Sequence, residues 1–242
     1  MRGDGRKSDE LRPVNIVPHY LKYAEGSALI ELGDTRIVCG ASLEAGVPSF
    51  LKNSGQGWIT AEYGMLPRST GARMVREVTR GRASGRTQEI QRIIGRSLRA
   101  VVDLKELGAF TIWIDCDVIQ ADGGTRTASV TGGFVALVLA LHKLYDEGLV
   151  PSMPVKDYVA AVSVGIVGGE MLLDLTYQED SVAEVDMNVA QTGRGKLVEV
   201  QGTSEAGLFT LTQLRQMTTL ARKGIKKLVA AQREVLGPIL GR

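Results

Sequence analysis

The helix of about 20 residues predicted after Gly123-Gly124 limits the possible folds more than any other part of the sequence. Apolar residues surround nearly its whole circumference near the middle, a pattern typical of a helix buried at the centre of a protein. Its most apolar run, Phe134 to Leu141, is far shorter than the roughly 20 residues that span a bilayer, so we expect no membrane partner. The rest of the chain must therefore cover this helix on several sides.

Strands and helices alternate along the chain, which indicates a mixed α/β or α+β fold. The predicted strands have apolar residues at every second position, and Gly-Gly or Gly-Asp pairs mark several of the turns between them. A helix with a 3.6-residue apolar period is predicted to end near residue 102. Strands are expected over residues 28–32, 35–43, 110–118, 159–167, 171–177, 183–192 and 197–201.

The two ends of the chain have different characters. Residues 1–13 are polar and rich in turn-forming residues, so they predict an arm without helix or strand. Residues 210–235 predict a long amphipathic helix whose first turn is a capping box between Thr210 and Gln213. We expect one domain over residues 1–242, and the basic outer face of the last helix is expected to be solvated: Arg215, Arg222, Lys223, Lys226 and Lys227.

Basic residues are concentrated locally although the chain is nearly neutral. It has 29 Lys and Arg against 27 Asp and Glu, a formal charge of +2. Residues 67–86 contain one acid, Glu77, and six arginines, and three more follow on the polar face of the next helix. Such a concentration predicts contact with a polyanion or with an acidic partner surface. The arginines are Arg68, Arg73, Arg76, Arg80, Arg82, Arg86, Arg92, Arg96 and Arg99.

Cysteine and histidine usage disfavours two kinds of site. Cys39 and Cys116 lie in alternating apolar segments and are interpreted as small core residues of a reduced protein. His19 and His142 are isolated from each other, which disfavours a zinc site. The first residues include acids and no apolar stretch, unlike a secretory signal. We therefore expect a cytoplasmic protein.

The sequence GGTRTAS at residues 123–129 lies between a strand and the central helix. Free backbone N–H groups and the helix dipole make such a junction a ready anion site. Gly124 lets a ligand approach the backbone, Thr125 offers a hydroxyl, and Arg126 offers a guanidinium that matches phosphate. Arg86, at the predicted start of another helix, is a second candidate donor. A capped helix with a surface arginine, and a solvated Arg86, are the alternatives.

Acidic residues are gathered in the segment 179–188. The apolar residues of the strand predicted there face the core, so Asp186 points the other way together with Glu184 and Asn188. Asp180 lies at the approach to that strand. Carboxylates placed in this way bind a hard divalent cation or act as a general acid. A solvated strand edge is the alternative.

Six blocks of sequence carry a resemblance when they are taken together. They are GDGRKSDELRPV (3–14), WITAEYGMLPRST (58–70), SGRTQEIQRIIGRSLRA (84–100), DCDVIQADGGTRTAS (115–129), DSVAEVDMNV (180–189) and VEVQGT (198–203). In this order, and nearly end to end, they resemble the RNase PH family. The resemblance implies an α+β fold of two related βαβ halves with left-handed crossovers, like the second domain of ribosomal protein S-five. Right-handed crossovers are the general rule, so this expectation rests on the resemblance alone.

The resemblance also implies roles for individual residues. The positions that match Arg86, Gly124, Thr125 and Arg126 bind inorganic phosphate in that family, and aspartates that match Asp180 and Asp186 serve catalysis. Mg²⁺ or another divalent cation assists near those aspartates. Which aspartate protonates the departing oxygen and which holds the metal stays open.

The implied activity is phosphate-dependent 3′→5′ exoribonuclease, or tRNA nucleotidyltransferase. Such an enzyme trims tRNA precursors with 3′ extensions, and also rRNA, releases nucleoside diphosphates, and adds nucleotides in reverse. The resemblance further implies a homo-oligomer, a hexameric ring built as a trimer of dimers. The alternative is a non-catalytic, exosome-like ring subunit that binds RNA, which predicts loss of the phosphate arginines or the aspartates. None of them is lost here.

Overall fold

The computed structural model describes residues 2–241, except for the side chain of Arg80. Thirteen helices and strands form an α+β fold with two sheets, as the sequence predicts. The strands are β1 (Val14–Pro18), β2 (Gly26–Leu32), β3 (Thr35–Ala45), β4 (Trp58–Met65), β5 (Phe110–Gln120), β6 (Val159–Val167), β7 (Glu170–Leu173), β8 (Val185–Thr192) and β9 (Leu197–Ser204). The helices are α1 (Gly85–Arg99), α2 (Thr125–Asp146), α3 (Tyr177–Asp180) and α4 (Leu211–Leu240).

The first sheet has the strand order β1-β2-β3-β5-β4. The hairpin between β2 and β3 turns at Gly33, whose φ of 57° is left-handed, so the predicted Gly-Asp turn is confirmed. β4 and β5 pair in parallel and are joined through α1, which makes a βαβ unit. The sequence did not predict β1 and β4, the two edge strands. Only one residue of β1 is buried, which leaves little alternation to detect, whereas β4 was missed although buried residues stand at every second position over most of it.

The second sheet has the order β7-β6-β8-β9, and its neighbouring strands are antiparallel. The strand predicted over residues 171–177 is wrong beyond Leu173. Asp174 has a φ of 56°, which breaks the extended chain, and Thr176 then caps α3 in a capping box with Glu179. The chain therefore turns sharply just before Asp180.

Helix α2 lies between the two sheets and contacts strands of both. It is long and apolar enough to cross a membrane by length and composition alone, but 89% of its most apolar window is buried inside the protein. The predicted central helix is therefore confirmed as a core element. One hydrophobic cluster contains Phe134 of this helix together with residues of both sheets, such as Ile30 and Val162.

The remaining helices and the cysteines agree largely with the sequence. α1 buries Ile90, Ile94 and Leu98 along one face. α4 begins after the predicted cap at Thr210 but runs five residues beyond the predicted end at 235. Pro238 lies in the last turn of α4, where its missing N–H removes one backbone hydrogen bond. Cys39 and Cys116 are buried, free thiols, as predicted.

Candidate active site

A cavity of about 550 Å³ opens where the two sheets meet the N-terminus of α2. All six residues predicted to bind phosphate or to act in catalysis lie in its wall, and they come from both halves of the chain. Their spatial convergence could not be read from sequence and is a finding of the structure. The lining residues are Met65, Thr70, Gly71, Ala72, Met74, Arg86, Ala121, Gly123, Gly124, Thr125, Arg126, Ser163, Tyr177, Asp180, Asp186 and Asn188.

The loop before α2 brings backbone close to the cavity. Gly123 and Gly124 both have left-handed φ values, 73° and 66°. A Cβ on Gly123 would come within 2.4 Å of the Leu175 carbonyl oxygen, so only glycine fits there. Gly124 is the N-cap and no side chain caps the helix, which leaves the first N–H groups of α2 available to a ligand. The junction thus has the features of an anion site.

Thr125 is held by a residue that the sequence did not single out. The Tyr63 hydroxyl and Thr125 Oγ1 are 2.8 Å apart, and Tyr63 is 6% exposed. Burial raises the pKa of the Tyr63 phenol, so this hydroxyl stays protonated at neutral pH. Tyr63 lies within the block of residues 58–70 that carries part of the resemblance, and this was the available signal. Tyr177, an exposed ring at the rim of the cavity, was missed as well.

The two cavity arginines are positioned differently. Arg126 Nη1 donates to Gln201 Oε1 at 2.9 Å, and the Gln201 amide in turn donates to Glu89. Arg86 is the second residue of α1, whose N-cap Ser84 accepts the backbone N–H of Thr87 at 3.1 Å. Within residues 2–241 neither arginine forms an ion pair, so both guanidinium groups can take an incoming anion.

Asp180 ends α3 and Asp186 lies on β8, and both face the same cavity. Burial raises the pKa of Asp186 from its ordinary 3.8 to about 6, and the charge of Asp180 adds to the rise. Asn188 Nδ2 donates to Asp186 Oδ2 at 3.3 Å, which works in the opposite direction. Partial desolvation also raises the pKa of Asp180, although Arg86 and Arg126 lower it in part. Two carboxylates held together in this way favour a bound cation.

A divalent cation fits this pair of carboxylates. Among residues 2–241 no group of three or more His, Cys, Asp or Glu side chains could hold a metal ion. Mg²⁺ is commonly bound by one or two carboxylates together with water and substrate phosphates, so Asp180 and Asp186 suffice on the protein side. The solvated strand edge considered for this acidic segment does not describe Asp186, which is largely buried in the cavity wall.

The N-terminal arm forms buried ion pairs with residues next to the cavity. It has no helix or strand up to Pro13, as predicted, but it is docked: Arg12 is 4% exposed and Asp174 is 0% exposed. Arg12 Nη2 and Nε donate to the two carboxylate oxygens of Asp174 at 2.6 and 3.0 Å. Arg2 donates to both oxygens of Glu179 at 2.7 and 2.6 Å.

Arg12 also joins the two loops that carry the predicted site. Its guanidinium donates to the backbone carbonyls of Asp122, Gly123 and Leu175. The loop before α2 and the start of α3 are therefore held by one side chain. We call Arg2, Arg6, Arg12, Asp174 and Glu179 the arm cluster, and Arg86, Arg126, Asp180 and Asp186 the cavity cluster. The sequence placed Arg2, Arg6 and Arg12 in an arm, Asp174 in a strand and Glu179 in the acidic segment, and it did not predict that they meet.

The other predicted arginines lie outside the cavity. Arg68, Arg73 and Arg76 are exposed on the segment whose residues Thr70 to Ala72 border it. The residues of α1 face other partners: Arg92 is exposed, Arg96 pairs with Glu199, and Arg99 donates to the Ile59 carbonyl at 2.7 Å and lies over the Trp58 ring. The structure thus gives Arg96 and Arg99 intramolecular partners, and contact with RNA or a subunit stays a prediction for all six.

Comparison with known proteins places this geometry in a family. Residues 10–142 match the model of the 3′ exoribonuclease family, domain 1, and residues 157–224 match that of domain 2. The two matches cover more than half of the chain and contain every residue of the cavity cluster.

Similar proteins cover the whole chain. Ribonuclease PH of Moorella thermoacetica is 64% identical over 242 residues, which is 100% of this chain and 97% of that protein. The Archaeoglobus fulgidus exosome with RNA bound to the active site superposes with a TM-score of 0.81 at 26% identity, covering 95% of this chain and 91% of the other. An archaeal exosome core gives a TM-score of 0.76 at 25% identity, covering 96% and 89%. The chain therefore belongs to the RNase PH family of 3′ exoribonucleases.

Proposed function

We infer that this chain is a phosphate-dependent 3′→5′ exoribonuclease that removes nucleotides from the 3′ ends of RNA, a tRNA nucleotidyltransferase. The observation that carries this inference is the cavity cluster. Two arginines and an uncapped helix N-terminus meet two carboxylates in one cavity, and no ion pair within the described residues satisfies their charges. A site built in this way binds an anion beside a cation.

Phosphate is held by three kinds of donor in this proposal. The guanidinium groups of Arg86 and Arg126 donate from two sides, and the N–H groups that follow Gly124 donate from below. Thr125, fixed by Tyr63, adds its hydroxyl. Because these groups are held before the ligand arrives, much of the entropic cost of placing the nucleophile is met by folding.

The reaction exchanges one phosphorus–oxygen bond for another. An oxygen of inorganic phosphate attacks the phosphorus of the last phosphodiester, and the bond from that phosphorus to the 3′ oxygen of the preceding nucleotide breaks. The departing 3′ oxygen takes a proton, for which Asp180 and Asp186 are the candidate donors. The terminal nucleotide leaves as a nucleoside 5′-diphosphate. An anhydride is formed as an ester is broken, so the reaction is reversible.

Asp180 and Asp186 are also the residues that would hold Mg²⁺ or another divalent cation. When bound, such an ion neutralises negative charge on the transferring phosphoryl group. Arg86 and Arg126 contribute to the same neutralisation from the phosphate side. The exposed ring of Tyr177 at the cavity rim suits stacking against a nucleobase of the RNA 3′ end.

We further propose the partners that the family implies. The substrates are tRNA precursors with 3′ extensions, guided by the exposed arginines at 68, 73 and 76. The similar exosome of Archaeoglobus fulgidus, whose active site contains RNA, supports an RNA substrate. A hexameric ring, one domain per chain and a cytoplasmic location remain our proposals. Both sheets line the cavity, which supports a single catalytic unit.

A non-catalytic ring subunit is the second candidate, and its fold would be the same. Its cavity would have lost arginines or aspartates, whereas all six residues are present in this one. We therefore prefer the enzyme.

The decisive experiment incubates the protein with a 3′-tailed RNA, with and without phosphate, and identifies the nucleotide released. We expect nucleoside diphosphates that appear only with phosphate. Efficient release of monophosphates without phosphate would instead identify a hydrolase, and RNA binding without release would identify the ring subunit. Asp180→Asn should lower the maximal rate on the order of a hundredfold or more. Asp34→Asn, in the exposed β2–β3 turn, is the matched control.

A further inference from the structure

A second cavity of about 300 Å³ lies between α4 and the turn that joins β8 to β9. Four of its lining residues are basic: Arg194 from the turn and Arg222, Lys226 and Arg233 from α4. None of its lining residues is acidic, and none of the four cations forms an ion pair within residues 2–241. Asp157 accepts the backbone N–H of Arg194 at 3.1 Å but does not line the cavity.

All four cations are exposed, and the fold brings them together on the surface. Arg222, Lys226 and Arg233 are spaced by four and seven residues, so they lie on one face of α4. The turn rests against that face, because a Cβ built on Gly195 would lie 3.4 Å from the Arg222 guanidinium. The Arg233 guanidinium lies 5.2 Å from the centroid of the Tyr158 ring. Arg222 and Lys226 are exposed like the rest of the basic face of α4, as the sequence predicts, and the turn places Arg194 beside them.

The four cations are the charged groups that a ligand in this cavity can reach. Gln191, the polar residue of the wall next to the turn, is only 4% exposed. A ligand with closely spaced negative charges suits four neighbouring cations with no acid among them. The RNA backbone, with one phosphate per nucleotide, has such a spacing of charge.

We propose that this basic pocket binds the sugar–phosphate backbone of the RNA substrate at a distance from its 3′ end. The proposal rests on the proposed function, which supplies the RNA. β8 leads from Asp186 in the active-site cavity to Thr192 in the basic pocket, a distance of roughly 20 Å at about 3.3 Å a residue. A long or structured RNA therefore reaches both cavities, and a very short one reaches only the first.

The experiment compares the double variant Arg222→Ala/Lys226→Ala with the wild type on two RNAs. One is a hairpin with a single-stranded 3′ tail, and the other is a tetranucleotide. We expect the KM for the tailed hairpin to rise about tenfold. The slope of log affinity against log salt concentration should decrease by an amount that corresponds to the loss of roughly one to two phosphate contacts. We expect kcat to be unchanged, and the tetranucleotide to be degraded as by the wild type.

Arg215→Ala/Lys227→Ala is the matched control, because it removes one arginine and one lysine from the same helix outside the pocket. Equal losses in both double variants would overturn the proposal, since net charge alone would then explain them. A loss on the tetranucleotide, or a changed oligomeric mass by light scattering, would overturn it too. The affinity for the hairpin is also measured without phosphate, which tests the pocket independently of catalysis. If the wild type binds the hairpin but releases no nucleoside diphosphate when phosphate is added, the proposed function is wrong. The affinities of the two double variants still test the pocket in that case.

Discussion

The arm cluster and the cavity cluster contain the same kinds of residue a few ångströms apart, yet their charges are used in opposite ways. In the arm cluster every carboxylate has an arginine: Asp174 contacts Arg12 at 2.6 Å and Arg6 at 3.3 Å, and Glu179 contacts Arg2 at 2.6 Å. In the cavity cluster no described carboxylate has one. The two clusters meet at α3, where Glu179 belongs to the first and its neighbour Asp180 to the second.

The difference shows how pairing separates structural from functional charge. A buried ion pair whose remaining atoms are hydrogen-bonded fixes a conformation, because removing either partner strands the other. Charges left unpaired at a cavity raise the energy of the empty site, and a ligand with complementary charge lowers it. The arm cluster thus sets the positions of two loops, and the cavity cluster takes the ligand. The following changes test this division.

Arg12→Ala should cause the largest loss of stability. It leaves Asp174 buried without its main partner, so we expect the free energy of unfolding to fall by about 3–5 kcal/mol. Chemical denaturation measures the change. Arg36→Ala is the control, because Arg36 pairs with Glu31 at the surface and should cost at most about 1 kcal/mol. Equal losses for the two variants would mean that the arm cluster is not a structural element.

Arg126→Ala should have the opposite profile, with a small effect on the free energy of unfolding and a large effect on the affinity for phosphate. Loss of charge-assisted hydrogen bonds worth roughly 1.5–3 kcal/mol should raise the phosphate concentration for half-maximal rate by about ten- to a hundredfold. Initial rates against phosphate concentration measure it. Arg92→Ala, an exposed arginine of α1 outside the cavity, is the control. A wild-type response to phosphate in Arg126→Ala would show that the site is elsewhere.

Asp186→Asn should stabilise the metal-free protein. The folded-state pKa of Asp186 is about 6 against an ordinary 3.8, so the folded state binds the proton more tightly than the unfolded state. Its contribution to stability is present below pH 3.8 and is lost as pH rises through 6. At pH 7 the variant should gain up to about 3 kcal/mol, since the pKa rises from 3.8 to about 6 and each pKa unit is worth roughly 1.4 kcal/mol.

Unfolding at a series of pH values, with a chelator present, checks this prediction. If the variant loses stability at pH 7, or if its stability follows the wild-type pH dependence between 4 and 7, then the ionised Asp186 does not raise the energy of the empty cavity. The same variant should be inactive, because it lacks a carboxylate that the reaction needs.

Arg68→Ala, Arg73→Ala and Arg76→Ala should have the smallest effects. These exposed residues have no carboxylate partner in the described chain, so each change should alter stability by less than about 0.5 kcal/mol. RNA affinity should fall by a few-fold, and the slope of log affinity against log salt concentration should decrease by about 0.7–0.9 per arginine. Fluorescence anisotropy gives the affinity, and light scattering gives the oligomeric mass. Unchanged values of both in all three variants would remove this segment from RNA binding and from assembly.

The cavity cluster has local signals in the sequence, although these signals left alternatives open and the roles of the residues came from the resemblance. A glycine pair before an apolar helix indicates a candidate anion site, and alternation along β8 separates Asp186 from the core. The edge strand β1 was missed because only one of its residues is buried, which leaves little period to detect.

The arm cluster lay beyond sequence reasoning for a different reason. Arg12 and Asp174 are 162 residues apart in the sequence, and Arg2 and Glu179 are 177 residues apart. No local pattern joins such positions. The same pairing explains the wrongly extended strand at 171–177, because the left-handed backbone of Asp174 is set by the arginines that it meets.

Those 162 residues also separate the two partners in time. During translation Arg12 leaves the ribosome long before Asp174 is made. The arm therefore has no Asp174 carboxylate to bind while the first sheet and α2 are synthesised. The loop at Gly123 and the helix bearing Asp180 are joined only when the later segment docks. The nascent chain therefore acquires its RNA-degrading site late, after most of its own synthesis is complete.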